Sequence, residues 1–121
     1  MELIISDKIR EACPQFVAGI LKCTVKNTAT HEDFWSEMEI ETNRLKSSYT
    51  IDQINKRPEI QAPRKIYKHF GKDPYRYRPS AEALCRRIVR DIPIYKVNIL
   101  VDIINLGSIR SGFSIGGFDI E

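Results

Sequence analysis

Apolar and polar positions alternate along this chain in two different ways. Residues 15–25, "QFVAGILKCTV", form a short, continuous apolar run rich in β-formers, which predicts a largely buried strand. "ELII" near the start and "GFSIGGFDIE" at 112–121 read as two further strands, the last with a glycine pair near its middle. Between them the spacing turns helical. Ser6 is placed to cap a brief helix that Pro14 ends. Thr30 and Asp33 resemble a capping box that opens "HEDFWSEMEIETNRLKS", in which Phe34, Met38 and Leu45 share a face. Pro63 suits a first helical turn in "APRKIYKHFG", and Gly71 suits its stop. In "RPSAEALCRRIVRD", with Ser80 as N-cap, Ala81, Leu84, Cys85 and Ile88 fall on one side of the helical wheel. Arg86, Arg87 and Arg90 fall on the other, within about 100° of arc. "NILVDIINLGSIRSG" predicts a last helix, capped by Asn98, striped by Ile99, Ile103 and Leu106, and stopped by Gly112.

Length and composition narrow the classes. The 121 residues fit one small domain, and 42% hydrophobic with 29% charged content is ordinary for a globular protein. No apolar run approaches the ~20 residues of a bilayer span, and the start lacks a signal peptide's basic and apolar regions, so the cytoplasm is the default compartment. Cys13, Cys23 and Cys85 are widely spaced, far from His31 and His69, with no CxxC pair. They read as reduced core cysteines, with no metal site and no cofactor implied. The net charge of +3 is polarised. Residues 57–90 hold ten basic against three acidic side chains, +7, and the remainder nine against thirteen, −4. A basic segment of this kind suits a polyanionic partner.

Candidate chemistry falls in three places. In "KDPYRYRPS", Tyr75 and Tyr77 alternate with Arg76 and Arg78, an arrangement suited to stacking on bases and pairing with phosphates. The plainer alternative packs the tyrosines on the domain and leaves the arginines in water. Arg86, Arg87 and Arg90 extend the same basic surface or are simply solvated. Asp102 and Asn105, three apart in an apolar helix, are either structural pins or site residues. His31 and His69 adjoin no nucleophile and read as surface residues. Trp35 reads as packing, and Glu82 as a complement to its helix dipole.

The ordered set from Arg78 onward resembles a known family. The proline-led helix with paired arginines, Asn98, the "VD" of Val101 and Asp102, Asn105, Gly112 and the "FD" of Phe118 and Asp119 look like the B3/B4 domain, the tRNA-editing module of the bacterial phenylalanyl-tRNA synthetase beta subunit. They resemble still more closely the freestanding, tRNA-binding members of that family. The strong match covers 78–121, and residues 1–121 are read as the N-terminal portion of one such domain. The resemblance implies an α+β fold with helices packed on a β-sheet, continuing beyond the final strand, whose edge would otherwise be unpaired. It also implies hydrolysis, without metal or cofactor, of the ester that joins a wrong amino acid to the tRNA 3′ end.

Carried over residue by residue, Asn105 matches the pocket asparagine, while Ile104 stands where the family has threonine and Gly116 where it has histidine, with Gly117 next. Asn105 would hold the substrate amino group or a water, Asp102 would orient it, and the Gly116 and Gly117 amides would face the carbonyl. Arg76, Arg78, Arg86, Arg87 and Arg90 would lie on the RNA backbone. The expected function is trans-editing deacylation of mischarged tRNA. The alternative is a non-catalytic RNA-binding or interaction module, and a third reading puts a free amino acid in the same pocket. Oligomeric state is left open.

Overall fold

Helix α5 (Ser80–Val89) lies at the centre of the molecule because its sequence offers an uninterrupted apolar stripe. Ala81, Leu84, Cys85 and Ile88 are buried on it, as the wheel predicts. Against this stripe pack α2 (Glu32–Ser48), α3 (Ile51–Ile54) and α6 (Ile99–Ser111), while α1 (Asp7–Ala12) meets α4 (Pro58–His69). The computed structural model describes residues 2–120. Their core joins Met38 and Leu45 of α2, Ile54 of α3, Ile60 of α4, the α5 stripe, and Leu106 and Ile109 of α6. Phe34, Trp35, Tyr49, Val89 and Ile94 flank it.

The described residues contain six helices and no strand, which corrects the α+β expectation: the core lies between helices, not between helices and a sheet. Residues 2–5, 15–25 and 112–120, read as strands, lie outside every helix and join no ladder. Glu121, the end of the predicted final strand, lies outside the described residues. The physical reason is that β-forming side chains make a strand only where the backbone finds a hydrogen-bonding neighbour. None of the three segments has one here, and Val17 and Leu21 are 86% and 87% exposed.

Local signals at the helix ends held better. Ser6 Oγ accepts from the Ile9 N–H at 3.4 Å, and Asn98 Oδ1 from Val101 at 3.0 Å. Gly112 closes α6 at φ 83°, left-handed backbone that favours glycine, and its N–H donates to the Ser108 carbonyl. A side chain there would also stand 2.9 Å from Arg57 Nη2, so this glycine admits a guanidinium as well as the turn.

Three boundaries differ from expectation. His31, not Thr30, caps α2, its Nδ1 accepting from Asp33 N–H at 3.2 Å. Pro58 takes the first position of α4, and Pro63 lies inside that helix. Pro79 precedes α5, so Ser80 is its first residue and not its cap. After α5 a full Schellman turn forms: Ile92 N–H donates to Arg87 at 2.9 Å and Asp91 N–H to Ile88 at 3.0 Å. Asp91 adopts φ 59° at the position glycine usually fills.

Of the cysteines, only Cys85 is a core residue; Cys13 is half-buried and Cys23 exposed, which corrects the expectation for those two. Among the described residues no helix is long and apolar enough to cross a membrane.

Candidate functional site

The start of α6 is tied down by the segment before α2. Ile99 N–H donates to the Thr28 carbonyl at 2.9 Å and Leu100 N–H to Asn27 Oδ1 at 3.3 Å. With Val101 N–H donating to Asn98 Oδ1, the free N–H groups of the first three helical residues all have partners, and Asp102 N–H opens the helix's own ladder on the Asn98 carbonyl. Asp102 completes the junction. It is 1% exposed, accepts from the Thr30 hydroxyl at Oδ2, and accepts from Val97 N–H at Oδ1 over 3.1 Å. Both of its oxygens thus join chain segments to α6.

Asn105 lies half-buried one turn further along the same helix. The segment after α6 runs back along it. Ile115 Cδ1 comes within 3.2 Å of where a Gly107 side chain would begin, and Ile104 Cδ1 within 2.8 Å of the equivalent point at Gly117. Gly117 therefore lies against the terminal methyl of Ile104, which a larger residue there would displace. Gly116 is exposed beside the Phe118 ring. Ser114 Oγ accepts from Ala81 N–H at 3.1 Å, supplying the side-chain cap that Pro79 cannot.

The second set of residues surrounds the turn between α4 and α5. Glu82 is fully buried and paired with Arg64, whose Nη1 reaches both carboxylate oxygens, Oε2 at 2.8 Å. The same Nη1 donates to the Pro74 carbonyl at 3.3 Å, and the guanidinium lies over the Tyr75 ring at 5.3 Å. Asp73 folds the turn, accepting from Tyr75 N–H at Oδ1 and from Arg76 and Tyr77 at its carbonyl. Glu82 is thus the buried anchor of the tyrosine–arginine turn and not only a complement to the helix dipole.

On that anchored turn Tyr75 is 69% exposed, while Tyr77 is flanked by Lys72 at 4.9 Å and Arg76 at 5.7 Å. Arg76, Arg78 and Arg90 are exposed and Arg86 half-buried, and none of the four forms an ion pair among the described residues. The Arg86 guanidinium is held below its ordinary pKa, first by partial burial and then by repulsion from Arg78 and Arg90. Its Nε is buried without a hydrogen-bond partner. Arg86 is therefore flanked by two repelling cations, Arg78 and Arg90, with the Glu82 carboxylate acting in the opposite direction. Arg87 does not join them: its Nη2 donates to the Pro93 carbonyl at 2.7 Å, and it stacks over Tyr95 at 4.3 Å.

Two surface cavities complete the picture. One of about 320 Å³ has Trp35, Met38, Ile88 and Ile94 among its walls, with Lys96 over the Trp35 ring at 5.0 Å and Lys46 bridged to Asp91 at 2.5 Å. The other, of about 130 Å³, lies between α2, Arg57 and the end of α6. Neither is lined by Asp102, Asn105, Gly116 or Gly117. Both histidines are exposed, and no group of three or more His, Cys, Asp or Glu side chains able to hold a metal occurs among the described residues.

No family model, no curated protein and no solved structure matches this chain.

Proposed function

We propose that this chain is an RNA-binding module, with tRNA the partner its sequence resemblance suggests. The supporting observation is the cation cluster of Arg78, Arg86 and Arg90, placed beside an anchored turn that exposes Tyr75. At Arg86 the repulsion from Arg78 and from Arg90 each exceeds the attraction of Glu82, and a phosphate backbone offsets such repulsion. An exposed aromatic ring beside such cations offers a stacking surface for an unpaired base. Tyr75, 69% exposed with Arg64 over one side of its ring, suits this role better than Tyr77, 44% exposed with two cations beside it. Arg76 belongs to the same surface, whereas Arg87 is spent on the 93–95 loop.

Deacylation draws less support from the geometry. Asp102 has both oxygens engaged in joining segments, and Gly117 lies against the Ile104 methyl. Asn105 is the one proposed pocket side chain without such a structural task in view.

The test measures affinity for an unmodified tRNA and, in parallel, hydrolysis of a panel of mischarged tRNAs. The Arg78→Ala, Arg86→Ala, Arg90→Ala triple variant is expected to bind at least tenfold more weakly while keeping its helical spectrum. Equal affinity in the folded triple variant would remove the proposed surface. Hydrolysis lost in Asn105→Ala, with binding kept, would add catalysis to the module.

A further inference from the structure

Arg57 is a charged side chain in the wrong surroundings. It is 8% exposed, and no carboxylate among the described residues forms an ion pair with it. Its polar contacts are weak ones: Nη1 lies 3.5 Å from Cys85 Sγ and 3.4 Å from the Ile109 carbonyl, and the guanidinium sits over the Tyr49 ring at 5.2 Å. Its Nε is buried with no hydrogen-bond partner at all. A buried cation normally has a counter-charge, because desolvation costs several kcal/mol per ion.

The missing partner has a place to sit. Arg57 lines the cavity of about 130 Å³ together with Arg44, Arg110, Glu41 and Tyr49, with Leu45 and Ile109 as apolar walls. A water's share of liquid volume is about 30 Å³, so the space exceeds that of a single water and admits a phosphate-sized group. Charge points the same way. Arg110 donates to Glu37 and Glu41 at 3.0 Å each, and Arg44 lies 3.7 Å from Glu41. The two carboxylates thus offset two of the three guanidiniums, and the one left over is the buried Arg57.

We propose that this cavity binds a phosphate-sized oxyanion, free phosphate or the terminal phosphate of a monoester, with Arg57 as its buried counter-charge and the exposed Arg44 at its mouth. The site shares no residue with the proposed RNA surface.

The test is thermal unfolding of the full chain in sodium phosphate against sodium chloride at equal ionic strength, with calorimetric titration of inorganic phosphate. Wild type is expected to show a saturable, phosphate-specific rise in Tm. Arg57→Met, which replaces a buried charge by a neutral side chain of similar length, is expected to fold and to lose that rise. Arg44→Gln, at an exposed position, is expected to weaken phosphate several-fold and guards against a folding defect in the first variant. Arg86→Ala is expected to keep the rise. Adenosine monophosphate matching inorganic phosphate would assign the site to phosphate groups generally; inorganic phosphate alone would assign it to the free ion. No phosphate-specific shift in wild type, an equal shift in Arg57→Met and Arg44→Gln, or a shift lost only in Arg86→Ala would each overturn the proposal.

Discussion

Glu82 and Arg64 meet where water is excluded, so removing one partner leaves an uncompensated buried group. Glu82→Gln is expected to cost about 3 kcal/mol in urea unfolding, and to loosen the Tyr75 turn that Arg64 organises. A change below about 0.5 kcal/mol, the size of an ordinary surface substitution, would show that the pair anchors nothing. Gly112 carries two constraints at once, positive φ and the Arg57 guanidinium. Gly112→Ala is therefore expected to destabilise by more than the ~1 kcal/mol of backbone strain alone, again read from the unfolding midpoint. Burial pushes the Cys85 thiol up, with Arg57 acting in the opposite direction. The neutral thiol is the native form, so its contribution is complete below the ordinary thiol range and declines as pH rises above about 8.5. Thiol reagents should accordingly label Cys23 first and Cys85 only as the molecule opens. Early labelling of Cys85 would contradict its place in the core.

At the scale of elements, several caps and the α2 and α5 stripes were legible because they are local. The expected α6 stripe is corrected: Ile103 is 52% exposed, and α6 buries Leu106 and Ile109. Ser6, Asn98 and Gly112 act within four residues of their partners, and the α5 stripe repeats within one helix. The losses were non-local or a matter of choice between neighbours. Thr30 looked like a cap by spacing, yet its hydroxyl goes to Asp102, 72 residues away, and His31 takes the cap. Pro58 and Pro63 both suit a first turn, and only packing of Ile60 into the core selects the earlier one. Helix α3 was missed although Thr50 and Gln53 have capping-box spacing and Thr50 N–H donates to Gln53 Oε1 at 3.0 Å. The Asp102 junction also makes a prediction. Thr30→Val leaves Asp102 one partner short in a buried place. It is expected to cost about 1–3 kcal/mol and to speed hydrogen exchange at Ile99 and Leu100, whose N–H groups are held by residues 27 and 28. Unchanged exchange there would mean that the segment docks without this bond.

For the whole molecule, helices pack on helices, and the segments predicted as strands lie outside every helix and are mostly exposed. A helix-dominated far-UV spectrum without a strand contribution is the corresponding expectation. The strand reading failed because apolar β-formers in 15–25 report only what a strand would bury, while a ladder depends on a neighbour that sequence alone does not name. Charge polarity was legible at this scale as a +7 segment, but its cations divide: Arg57 is buried and Arg64 half-buried against Glu82, while Arg76, Arg78 and Arg90 stay exposed. Its internal division was not, since Arg86 and Arg87 are adjacent in sequence and differ only through the Pro93 and Tyr95 contacts. Arg57 and Arg64 were equally hidden, because their surroundings come from α5, α6 and the 73–75 turn.

That division between neighbours gives the most direct measurement: the salt dependence of tRNA affinity for wild type, Arg86→Ala and Arg87→Ala. The slope of log affinity against log salt counts the phosphates neutralised. Arg86→Ala is expected to flatten it by about one unit, and Arg87→Ala to leave it unchanged. Equal slopes in all three proteins, or a flattening confined to Arg87→Ala, would contradict the account.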